Sequence, residues 1–163
     1  MSKVLIVAEH LDGKLNSATA RCVACAKAFN ADSIDVVVLS DAPDAVASEA
    51  AKIAGVGKVL AVANPANAHA LAQVLAPQVA ALAAGYTHVL GPSTTFGKDL
   101  MPCVAALLGV AQVSDIMAVA LASLLDIMFL SIIASLPLPL APPLATLFTH
   151  SVICEGLKSI TSL

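Results

Sequence analysis

Four short runs of buried-type residues, each followed by a stretch of helical character, constrain this chain more than any other feature. They are KVLIVAEH (3–10), IDVVVLS (34–40), KVLAVA (58–63) and THVL (87–90). Each is almost continuously apolar and rich in Val, Ile and Leu. A strand with one wet face alternates apolar and polar residues, whereas a strand covered on both faces of a parallel sheet does not. Between the runs lie segments of helical composition. SATARCVACAKAF, with Asn16 or Ser17 as cap, predicts a helix through about Phe29. APDAVASEAAKIAG (42–55) predicts a second, stopped at Gly55. Asn64 before Pro65 opens a third over 64–85, ended by Gly85 and expected to kink or split near Ala76 because of Pro77. A fourth is expected from Lys98 to Leu108, and AQVSDIMAV (111–119) has the look of a fifth strand. LDGKLN, after the first run, reads as a turn. Strands and helices alternating at this spacing predict an α/β fold of three layers, a doubly wound and mostly parallel sheet with right-handed crossovers.

Length permits one domain with a sizeable core: the chain has 163 residues. Hydrophobic residues make up 59% and charged residues 12%, against about 45–50% and about 25% in ordinary globular domains. The net charge of −3, the absence of Trp and the lack of a basic stripe argue against nucleic acid as a partner. MSKVLIVAEH has neither the basic start nor the cleavage site of a secretory signal, so the expected location is cytoplasmic. Cys22-Val-Ala-Cys25 is formally C-x-x-C, but it falls inside the first expected helix rather than at its N-terminus, where a dipole would lower a thiol pKa. No second Cys or His pair stands at zinc-ligand spacing, and the plain reading is two small residues on a helix.

In doubly wound sheets ligands sit beyond the C-terminal strand ends, where the winding reverses. The loop GPSTTFGKD leaves the fourth strand at that edge. Gly91 and Gly97 permit close backbone approach, Ser93, Thr94 and Thr95 supply hydroxyls, and Lys98 begins a helix whose free N–H groups attract anions. The low-specificity candidates for a nucleotide loop are therefore Ser93, Thr94, Thr95, Gly97 and Lys98. The loop matches neither G-x-x-x-x-G-K-[ST] nor G-x-G-x-x-G. A structural reading competes: Ser93 or Thr95 caps the helix, Gly97 makes the turn and Phe96 packs beneath. Glu9 and His10 end the first run at the same sheet edge and form a second, weaker candidate, for acid–base work. His69 and His88 are isolated, and no catalytic constellation or metal cluster is spaced for chemistry.

SKVLIVAEHLDGKLN at the N-terminus and GYTHVLGPSTTFGKDLMPCVAALLGVAQVSDI in the middle, with the spacing between them, resemble the N-terminal domain of the electron transfer flavoprotein alpha subunit over about residues 2–119. The resemblance implies a Rossmann-like, adenine nucleotide alpha hydrolase-like fold. It implies a heterodimer with a beta subunit that carries electrons from acyl-CoA dehydrogenases, in fatty acid beta-oxidation, to a membrane quinone oxidoreductase. It implies that FAD belongs to a later domain of a longer alpha chain, and that AMP belongs to the sister subunit, on a loop placed like 91–98. Residues 1–119 would then be a scaffold that binds no FAD by itself and catalyses no reaction. The alternative is a free-standing nucleotide-binding α/β module using loop 91–98.

Beyond Val119 the character changes. After Asp99 the only charged residues are Asp115, Asp126, Glu155 and Lys158. Residues 120–163 show no counterpart of the glycine-rich flavin segments that the family would place there, and LPLPLAPPLATL (136–147) has four prolines, which forbid a regular helix. Three readings of this tail stand side by side: an out-of-frame or truncated product, a divergent packing segment, or a membrane anchor over Ile116–Leu136. That last run carries the one charge of Asp126 and is long enough to span a bilayer.

Overall fold

The structure is a computed structural model that describes residues 2–28, 30–114, 116, 119–120, 151–152 and 160–162. Most of the tail, including most of the run 116–136, lies outside the described residues, and so do the expectations placed on it. Among the described residues ten strands appear: β1 (Lys3–Val7), β2 (His10–Leu11), β3 (Lys14–Leu15), β4 (Ser33–Ser40), β5 (Lys58–Ala63), β6 (His88–Leu90), β7 (Gln112–Val113), β8 (Val119–Ala120), β9 (Ser151–Val152) and β10 (Ile160–Ser162). The helices are α1 (Ser17–Ala28), α2 (Asp44–Ala50), α3 (Ala72–Ala83) and α4 (Thr95–Leu108), with a 3-10 helix at Pro65–His69 before α3.

The main sheet has the order β5-β4-β1-β6-β10-β7. Its first four strands are parallel, with β1 running from Lys3 opposite Ser33 to Val7 opposite Val37, and Leu5 opposite Val89 on the other side. β10 is antiparallel to both β6 and β7. Both faces are covered. Val4, Ile6 and Ala8 point into one apolar cluster with Cys22, Val23, Ala26, Val46 and Ala50 of α1 and α2. Leu5 and Val7 point into the other with Leu75, Val79, Leu100, Met101 and Val104 of α3 and α4. Period-two alternation thus serves two cores instead of one core and solvent, which is why these strands read as unbroken apolar runs. Fully burying each Val or Leu contributes about 1.5–3 kcal/mol. The three-layer, mostly parallel arrangement agrees with the expected fold class.

Several boundaries differ from the expectations. The first strand ends at Val7, and the segment after it is a hairpin of β2 and β3. Asp12 (φ 50°) and Gly13 (φ 72°) fill its two turn positions, which a tight hairpin turn with two left-handed residues requires. The second helix is shorter than 42–55 and stops at Ala50. The third element breaks at Ala70 (φ 47°), not near Ala76, and Pro77 lies inside α3. Pro77 is exposed, so water can take the carbonyl that its missing N–H leaves open. Asn64 caps the 3-10 turn by accepting from the Ala66 amide at 3.0 Å. Asn67, buried, and Gln78 of α3 exchange two side-chain hydrogen bonds of 2.7 and 3.2 Å, which tie the 3-10 turn to the helix. The fifth strand is reduced to Gln112–Val113, while Val119–Ala120 pairs with Ser151–Val152 in a separate ribbon.

One charged residue sits inside a core strand. Asp35 is buried on β4 and its Oδ2 accepts from the Tyr86 hydroxyl at 2.8 Å. Burial, then the hydrogen bond to Asp35 and its negative charge, push the Tyr86 phenol up to about 12. A raised pKa in the folded state means that folding favours the neutral phenol. The contribution is fully present below the unfolded value of 10.0 and is lost as pH rises from there to about 12.

Two outcomes are expected. Tyr86 is the sole tyrosine of the chain, so an ultraviolet titration reads it alone. Its midpoint should lie well above that of a free tyrosine, and a midpoint near 10 would remove the Asp35 contact from the account. Asn67→Ala should lower unfolding stability by about 1–3 kcal/mol in denaturant titrations, because Gln78 loses its reciprocal partner.

Candidate functional site

The chain steps outward from β1 to β4 to β5 and then returns across the sheet to β6, on the far side of β1. The helices of the outward steps, α1 and α2, cover one face, while α3 and α4 cover the other. The winding therefore reverses between β1 and β6, and the segments leaving their C-terminal ends are residues 8–16 and 91–94. Both sequence candidates lie at this switch point, where open α/β sheets bind ligands.

Loop 91–94 is short, and α4 starts at Thr95, three residues earlier than the expected Lys98. Its cap is Thr94, which lies between the two capping candidates Ser93 and Thr95. Thr94 has extended backbone (φ −88°, ψ 176°), its Oγ1 accepts from the Gly97 amide at 3.4 Å, and its carbonyl accepts from the Lys98 amide at 2.9 Å. Ser93 and Thr94 are half-buried, Thr95 and Lys98 are exposed, and Gly97 is buried. The five nucleotide-loop candidates are thus gathered on one turn at a helix N-terminus.

The two glycines turn inward. A Cβ on Gly97 would stand 1.7 Å from the Pro92 carbonyl oxygen, and one on Gly91 would stand 2.6 Å from Cγ and Sδ of Met101. Neither is in a left-handed conformation, so glycine is required for close approach, not for φ. What approaches is the protein's own Pro92 and Met101. Phe96 packs against the α3–α4 core cluster, as the structural reading expected. The space that a P-loop glycine leaves to a phosphate is taken here by the Pro92 carbonyl, whose partial negative charge would repel one. At Gly97 the turn therefore lacks the open space that a phosphate cradle has. What the turn retains toward an anion is the helix dipole, worth about 0.3–1 kcal/mol at an exposed end, and the Lys98 ammonium.

The second candidate is pulled apart. His10 Nε2 hydrogen-bonds the Leu39 carbonyl at 2.9 Å, joining the hairpin to β4. The Glu9 amide donates to Thr19 Oγ1 at 3.3 Å, its carbonyl accepts from Asn16, and its buried Oε2 has no partner among the described residues. Asp41 at the end of β4 has its carboxyl held below the usual range, chiefly by the Ser40 hydroxyl, with the Ala42 amide and the His10 charge as lesser causes. Glu9 and His10 thus serve backbone positioning at this edge, and no hydrogen bond joins the two side chains among the described residues.

The remaining candidates settle into structure. Cys22 and Cys25 are both buried in α1 against the sheet. His88 Nδ1 meets Thr87 Oγ1 at 3.0 Å, and His69 is exposed at the end of the 3-10 turn. Among the described residues no group of three His, Cys, Asp or Glu side chains could hold a metal ion, and no helix is long and apolar enough to cross a membrane. The Asp35–Tyr86 pair escaped the sequence reading. Its signal was an Asp inside IDVVVLS, since a buried carboxylate in an apolar strand requires a donor.

Gly97→Ala should lower stability by about 1–3 kcal/mol or more, because the methyl group and the Pro92 carbonyl cannot both stay in place. Thr94→Ala should cost about 0.5–2 kcal/mol through the lost cap. Lys98→Ala, at an exposed position, should stay within about 0.5 kcal/mol. Denaturant titration of the three variants checks the order, and a Gly97→Ala protein as stable as wild type would overturn the close approach.

Comparison with known proteins agrees with this architecture. Residues 4–135 match the model of the electron transfer flavoprotein domain, so the match continues past Val119, where the resemblance read from the residues ended. Among curated proteins, the electron transfer flavoprotein subunit alpha of Pseudomonas aeruginosa is 48% identical over 116 residues, which is 71% of this chain and 37% of that protein. The corresponding subunit of Paracoccus denitrificans is 43% identical over 117 residues, again 71% and 37%. A mitochondrial subunit alpha from Dictyostelium discoideum is 33% identical over 122 residues, covering 71% of this chain and 34% of its own length. The chain thus spans little more than a third of the relatives it matches. With residues 4–135 matched, and with β1 from Val4 on, α1 and the loop into α4 inside the matched stretch, the chain belongs to the electron transfer flavoprotein family.

Proposed function

We propose that residues 1–119 are the N-terminal scaffold domain of an electron transfer flavoprotein alpha subunit and that loop 91–98 serves packing, not nucleotide binding. The observation that carries the second half is the 1.7 Å separation between the Pro92 carbonyl oxygen and a Cβ built on Gly97. The naming of the relatives as alpha subunits supports the first half. On this reading the chain pairs with a beta subunit in the cytoplasm. The assembled protein carries electrons from acyl-CoA-type dehydrogenases to a quinone oxidoreductase. FAD supplies the one- and two-electron chemistry there, and its contacts come from the part of the alpha subunit that lies outside the matched third. The contribution of this domain is a rigid, doubly covered sheet whose C-terminal edge is closed by its own loops. Catalysis of a reaction by these residues is not part of the proposal.

A second reading, nucleotide binding by the free-standing domain, draws on the position of α4 at the switch point. Ligands that bind only the folded state raise the thermal midpoint by mass action, so one experiment separates the two. The purified chain should emerge colourless, and its midpoint should stay constant on titration with AMP, ATP or FAD to millimolar concentrations. A saturable rise with AMP or ATP, abolished by Lys98→Ala, would favour the nucleotide module. A yellow protein holding stoichiometric FAD would overturn the scaffold reading.

A further inference from the structure

We draw no further inference here: the strongest candidate, the largely apolar outer face of α3 and α4 with Pro77, Ala81, Pro102, Cys103, Ala106 and Leu107 exposed, carries nothing because nothing in the structure shows what covers it.

Discussion

Everything in this fold hangs on β1, a strand of which four of five residues are removed from water. Val4 and Ile6 belong to one core, Leu5 and Val7 to the other, and the strand is flanked by β4 and β6 in parallel register. A helix on one face alone would leave half of these side chains wet. The need to cover the second face is what sends the chain back across the sheet after β5, and that return creates the reversal of winding beside β1. The position of the candidate site is therefore a by-product of how the core is closed.

The site itself illustrates how similar local chemistry can be put to different ends. Small residues, hydroxyls and a helix start are the ingredients of an anion cradle, and all are present between Gly91 and Lys98. A cradle also needs open space in front of the amides. Here Thr94 takes the Gly97 amide with its own hydroxyl, and the Pro92 carbonyl fills the room that the glycine provides. At Gly97 the turn thus meets its own backbone, and the Thr94 hydroxyl serves the start of α4.

Much of this was legible in the residues. The apolar runs located β1, β4 and β6 because buried strands leave a strong compositional trace, and β5, an edge strand with no fully buried residue, carries a similar apolar run. The end of the fourth run located the loop, because ligands of doubly wound sheets sit at C-terminal strand ends. The losses have physical causes. Asp12-Gly13 was read as a turn but not as a hairpin, because the strands it joins are two residues each, too short to show alternation. Pro77 was expected to break its helix. The rupture came at Ala70 instead, where the Asn67–Gln78 amide exchange outweighs local propensity, and no sequence period reports a contact of that kind. Thr94 was passed over as cap because three hydroxyl residues in a row offer three frames, and only the backbone angles choose among them.

The place of β10 has a consequence for pairing at the β6 edge. The four parallel strands and the helices that cover them are all encoded in the chain up to Leu108. β7 joins them only through β10, whose residues Ile160–Ser162 lie far along the chain from Leu90. Until β10 pairs with it, the β6 edge stays open, with its row of amides and carbonyls available to any other extended chain nearby. A sheet that draws the neighbour of an inner strand from so distant a segment is thus exposed to mispairing at that edge for as long as the segment is unpaired.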